Sequence, residues 1–286
     1  MKQAAAAAIL GLAAVSLATP AFADAFFFST GNPDGKIATA SRPDSSFEIE
    51  SADDFVLAQG TTITSASFMG LITGSSPVTS IGQVVVEIYR VFPKDSADPP
   101  SGNVPTRVNS PSDIAFADRD STLGNLHFSA TDLGSFMVAN SVQPGGIHKQ
   151  PNQTTGGNGS LTGEEILFNV AFDTPLSLPA DHYFFVPQVE VTSGDGSFFW
   201  LSAPKPIVSP GTPFSPDLQS WTRDEFLDPD WLRVGTDIVG APPDGTAPTF
   251  NETFSLTGVT VPEPAGLSLL GLALAGLGAL RLRRGR

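Results

Sequence analysis

Along QVVVEIYRVF, Gln83 to Phe92, apolar and polar positions alternate with a period of two. That places Val84, Val86 and Ile88 on one face of a strand and Val85, Glu87, Tyr89 and Val91 on the other. Thr61 to Ile72 alternates more weakly but is rich in β-branched residues. Glu164 to Phe172, Asp181 to Val191, Ser197 to Leu201 and Phe250 to Val259 supply further short β segments. Between two of them, Thr192-Ser193-Gly194-Asp195-Gly196 predicts a hairpin loop. Helical signals are few. Ser215-Pro216-Asp217 predicts the cap of one short helix through Trp221 to Phe226, and Asp228-Pro229-Asp230 a further turn. The pattern predicts an all-β body, residues 24–260, built as an antiparallel two-sheet β-sandwich of jelly-roll-like form.

Composition agrees. The 286 residues include 28 glycines and 25 prolines, a density that breaks long helices. Pro93 to Asp113 and the Gly/Asn/Thr-rich run Gln143 to Gly163 read as surface excursions, as does the proline-rich segment Ala203 to Thr249. Cysteine is absent, which excludes disulfides, thiol nucleophiles and zinc ribbons. All 29 acidic residues lie between Asp24 and Glu263, where ten bases leave a net charge of −19. Phosphate backbones repel such a body, so nucleic acid is excluded as a partner.

The two ends differ from the body. Residues 1–23 combine Lys2, an apolar stretch from Ala4 to Ala18 and the small-residue cleavage pattern Ala21-Phe22-Ala23. They predict a secretory signal peptide, cut by signal peptidase to leave Asp24 first. At the other end, Val261-Pro262-Glu263-Pro264 precedes sixteen uncharged residues, Ala265 to Leu280, and then Arg281, Arg283, Arg284 and Arg286. The uncharged run predicts a transmembrane helix in the inner membrane, with the arginines on the cytoplasmic side. Two prolines keep the segment before it extended around a single carboxylate, an exposed handle for a protease.

In its order of motif, apolar helix and arginine cluster, 261–286 resembles the PEP-CTERM sorting signal of Gram-negative bacteria. Pro262, Glu263 and Pro264 match its central motif. The resemblance implies processing by a membrane-embedded exosortase and a setting of exopolysaccharide and biofilm matrix. The body resembles uncharacterised extracellular proteins carrying the same tail, a likeness that brings no activity with it.

Catalytic signatures are missing. His127, His148 and His182 form no HExxH pair, and no GxSxG, SxxK, GxxxxGK[ST] or strand-to-helix GxGxxG motif occurs. Adjacent acids such as Asp53-Asp54 and Glu164-Glu165 point to opposite faces of a strand and make no evident glycosidase dyad. No cofactor is implied, although Asp224, Asp228 and Asp230 offer hard oxygen ligands for a structural calcium. Trp200 sits in an apolar strand and is expected in the core. Trp221 and Trp231, among Asp and Arg in a loop-rich stretch, are the candidates for a sugar-stacking platform.

The expectation is therefore a non-enzymatic protein, exported through the inner membrane and anchored there until processed. After processing it belongs at the cell surface or in the matrix, associated with exopolysaccharide. A carbohydrate-binding module is the second reading and a polysaccharide-active hydrolase the third.

Overall fold

Two sheets face each other across the apolar faces that the period-two pattern marks. The computed structural model describes residues 23–43, 47–74, 78–96, 108–147, 154–192, 194–204, 218–226 and 230–261. Its strands are β1 (Ala25–Ser29), β2 (Ile37–Ala40), β3 (Ile49–Leu57), β4 (Thr61–Ile72), β5 (Ile81–Val91), β6 (Pro111–Asp120), β7 (Leu126–Val138) and β8 (Asn140–Val142). They continue with β9 (Leu161–Leu178), β10 (Asp181–Val191), β11 (Phe198–Ala203), β12 (Trp221–Asp224), β13 (Leu232–Arg233), β14 (Asn251–Glu252) and β15 (Phe254–Thr260). Helical structure among the described residues is limited to three 3₁₀ turns and one π-helical turn, Val234–Val239.

The larger sheet is organised around β4. β9 pairs with it on one side; on the other, β15 takes Thr61 to Phe68 and β11 takes Gly70 to Ile72. β7 lies outside β9 and β1 outside β15, while β11 carries β2 and β14. One short parallel pair, β2 with β8, departs from the antiparallel rule. The smaller sheet runs β13-β12-β3-β10-β5-β6, antiparallel throughout. The all-β, two-sheet, sandwich-like reading holds.

Val84, Val86 and Ile88 do face the core, as their alternation requires. There the inner faces meet in a chain of rings. Phe254 lies 5.0 Å from Phe185 across the sandwich and 5.1 Å from Phe28, and Phe68 stacks on Phe168 at 4.8 Å. Trp200 is fully buried and donates its indole N–H to the Thr253 carbonyl at 2.7 Å. Where β11 joins β4, a Cβ on Gly70 would stand 2.1 Å from the Phe198 ring and 2.7 Å from the Phe199 carbonyl oxygen. Glycine at 70 is what lets the two strands meet.

Three expectations change. The predicted hairpin at 192–196 is an arch: β10 pairs with β3 and β5 in the smaller sheet, whereas β11 belongs to the larger one. The predicted helix from Trp221 is strand β12, because Trp221, Thr222 and Arg223 pair with Ala52, Ser51 and Glu50 and tertiary pairing overrides the local cap signal. The excursions also end early, since β6 begins at Pro111 and β9 at Leu161. The predicted helix cap 215–217, His148, Asp228 and residues 1–22 of the signal stretch, Ala21 included, lie outside the described residues, as do Pro262, Glu263, Pro264 and the arginine tail. Among the described residues no helix is long and apolar enough to cross a membrane; the run 265–280 is not among them.

Replacing Phe254 by alanine is expected to cost about 3–5 kcal/mol in urea unfolding, because it opens the ring chain at its centre. Phe27→Ala, at a ring 53% exposed on the outside of the same sheet, should stay within about 0.5 kcal/mol of the parent.

Candidate functional site

Strand β3 reads IESADDFVL, a polar sequence by composition, yet eight of its nine residues are buried. Phe55 and Leu57 point into the sandwich, whereas Glu50, Ala52 and Asp54 lie on the outer face of the smaller sheet. On that face Asp54 shares a row with Phe184 and Tyr89, and Glu50 pairs with Arg223 of β12. Glu87 and Tyr89, two residues apart on β5, project to the same side. The register thus gathers two glutamates, a tyrosine and an arginine from three strands, and Glu48 stands just before β3.

The carboxylate oxygens of Glu48, Glu50 and Glu87 lie within 4.8 Å of one another. Glu50 accepts from the Tyr89 hydroxyl at 2.5 Å and from Nε of Arg223, while the Arg223 Nη2 donates to the Tyr89 oxygen at 3.2 Å. Glu48 accepts from Gln188 at 2.9 Å. Burial first, then the charge of Glu50 and a hydrogen bond with it, push the Glu87 carboxyl up to about 9. Burial and the same two glutamates raise the Tyr89 hydroxyl as well. Glu87 therefore holds a proton at neutral pH, and a neutral carboxyl, a carboxylate and a guanidinium close one network.

Aromatic rings cover its arginine and tyrosine. Arg223 lies 4.5 Å over the Trp231 ring, and Trp231 meets Tyr89 edge-on at 5.6 Å. Trp231 is 0% and Trp221 2% exposed, and the Trp231 indole donates to the Ser112 carbonyl. Rings buried to this extent present no face to a sugar, so the expected stacking platform is instead the cover of a small core with Phe184, Val186 and Leu218. Of the candidate calcium ligands, Asp224 and Asp230 are buried, and Asp224 accepts from the Phe226 backbone N–H. Among the described residues, neither falls in the carboxylate group of Glu48, Glu50 and Glu87 that lies within reach of a single ion.

A second buried acid sits near β2 and β12. Glu252 is fully buried, accepts from Thr39 at 3.3 Å and is pushed up to about 8 by burial, with the charge of Asp34 adding to the rise. The Glu252 backbone N–H donates to Asp53 at 2.8 Å. On the other face of β3, Asp54 meets His182 Nε2 at 2.6 Å and accepts from the Leu218 N–H. His127 pairs with Asp173 at 3.2 Å on the surface. Asp24 accepts from Thr260 N–H through its backbone carbonyl, which ties the expected first mature residue to β15; Ala23 precedes it, and Val261 donates to the Gly60 carbonyl.

Sequence reasoning singled out none of Glu48, Glu50, Arg223 and Glu252. The available signal was Glu87 beside Tyr89 on one face of the best-patterned strand. Family models, curated proteins and solved structures were compared with the chain, and none matches.

The pH dependence follows from the two raised carboxyls. Unfolding returns Glu87 and Glu252 to an ordinary value of 4.5, so between that value and about 8–9 the native state holds protons that the unfolded chain has lost. Their contribution is complete below about 4.5 and is lost as pH climbs through about 8 and 9. Urea midpoints should thus fall from pH 5 to pH 9, and Glu87→Gln, whose amide keeps a donor toward Glu50, should flatten that slope. Separately, Arg223→Met strands Glu50 as a buried charge and is expected to cost about 3–5 kcal/mol at pH 7, part of it restored by adding Glu50→Gln.

Proposed function

We propose that this chain is an exported, C-terminally sorted protein of the cell surface or extracellular matrix, non-enzymatic, whose body associates with exopolysaccharide. One observation carries the reading: a signal-like segment at 1–23 and a VPEP motif, apolar run and arginine cluster at 261–286 flank a single acidic β body. In this reading 1–23 is a signal helix, 24–260 a jelly-roll-like sandwich and 265–280 a transmembrane helix that holds the body until processing. Signal peptidase and an exosortase are the processing partners. The buried acids support a structural role over catalysis. Glu50 is buried and committed to Arg223 and Tyr89, and the half-buried Glu87 is hydrogen-bonded to Glu50.

Processing is tested by substituting Pro262, Glu263 and Pro264 with alanine in a host that carries an exosortase, then fractionating the cells. The parent chain should reach the surface or medium in a shortened form, and the triple variant should accumulate at full length in the inner membrane. Identical distribution of the two would remove the sorting role.

A further inference from the structure

The outer face of the larger sheet is built unlike that of the smaller one. Ser29, Ser255, Ser67, Asn169 and Ser129 stand side by side across β1, β15, β4, β9 and β7, one residue from each strand. The row one step along the strands starts at Phe27, passes Thr257 and Ser65, and ends at His127. Five strands span roughly 19 Å at the usual interstrand spacing. Short side chains along the middle strands leave a shallow trough of ≈ 460 Å³, lined by both rows from β15 to β7. A smaller depression of ≈ 130 Å³ shares Ser67 and Ser255 with it and reaches Phe27 and Ser29.

We infer, resting on the association with exopolysaccharide proposed above, that this trough is the site where an extended, uncharged polysaccharide lies across the strands. The lining chemistry selects the occupant. Five hydroxyls, one amide and one imidazole face the trough, and no carboxylate, lysine or arginine is among its described lining residues. In a chain of 29 acids, that leaves a neutral stripe rich in groups that both donate and accept, the complement of sugar hydroxyls. A polyanion would find no cation here. A protein partner is disfavoured because interface centres are enriched in aromatic residues, Met and Arg and depleted in Ser, the commonest residue of this lining. The exposed Phe27 ring at one end offers an apolar face for the C–H side of a sugar. Asn169, exposed and fourth of the five residues in the row, provides two donors and an acceptor.

The test is affinity electrophoresis of the full-length chain in detergent, through gels containing hydroxyethylcellulose, a neutral mannan or the polyanion alginate. The variants are Phe27→Ala, Asn169→Ala and His127→Ala, all at exposed positions, with Leu123→Ala as an exposed apolar control outside the lining. Matched unfolding midpoints establish that each is folded. The parent and Leu123→Ala should be retarded by at least one neutral polymer. Phe27→Ala and Asn169→Ala should each weaken that retardation about five- to tenfold, as expected for one lost contact. Retardation by the neutral polymer that all three variants retain would overturn the trough as the site while leaving the association standing. Retardation by alginate alone would overturn the neutral-glycan assignment. A parent chain retarded by none of the polymers would overturn the trough and the proposed association together.

Discussion

Strand β3 carries Glu50, Asp53 and Asp54 into places that water does not reach, and the fold has to answer each one. An isolated buried carboxylate is costly enough to unfold a domain of ordinary stability. Here Arg223 and Tyr89 answer Glu50, the backbone of Glu252 answers Asp53, and His182 with the Leu218 N–H answers Asp54. These partners come from β5, β10, β12, β14 and the segment before β12, so one strand fixes the placement of five distant stretches of chain. The ring chain around Phe254 supplies the bulk of buried apolar surface, but the carboxylates set which strand may lie beside which.

This is also where the sequence was least legible. The strands that alternate or run apolar, β4, β5, β9, β10 and β11, are visible in the pattern because their burial is hydrophobic. IESADDFVL hides its burial, since its acids are satisfied by residues 39 to 199 positions away. β12 was obscured for the same reason: Ser-Pro-Asp before it offers a helix cap, and only pairing with β3 decides otherwise. The arch after β10 has the turn residues of a hairpin, and which sheet the next strand joins is settled by the Gly70 opening on β4.

Trp221 and Trp231 illustrate the limit for function. Flanking Asp and Arg suggested exposed aromatics, but Arg223 stacks over Trp231 and Arg233 lies toward Trp221 while bridging Asp237. Their charged neighbours cover them. The trough on the opposite sheet could not be seen from composition, because four serines and Asn169 scattered over five strands make a continuous row only once the register is known. The two outer faces therefore divide the work: the smaller sheet closes over its ionised network, and the larger one leaves a neutral, hydroxyl-lined surface open.

Hydrogen exchange of the full-length chain with and without a neutral polysaccharide tests that division most directly. The account predicts added protection at backbone amides of β15, β4 and β9 around Ser255, Ser67 and Asn169, and no change at β3, β5 or β12. Protection that appeared on β3 and β12 around Glu50, Arg223 and Trp231, with the trough unaltered, would contradict it.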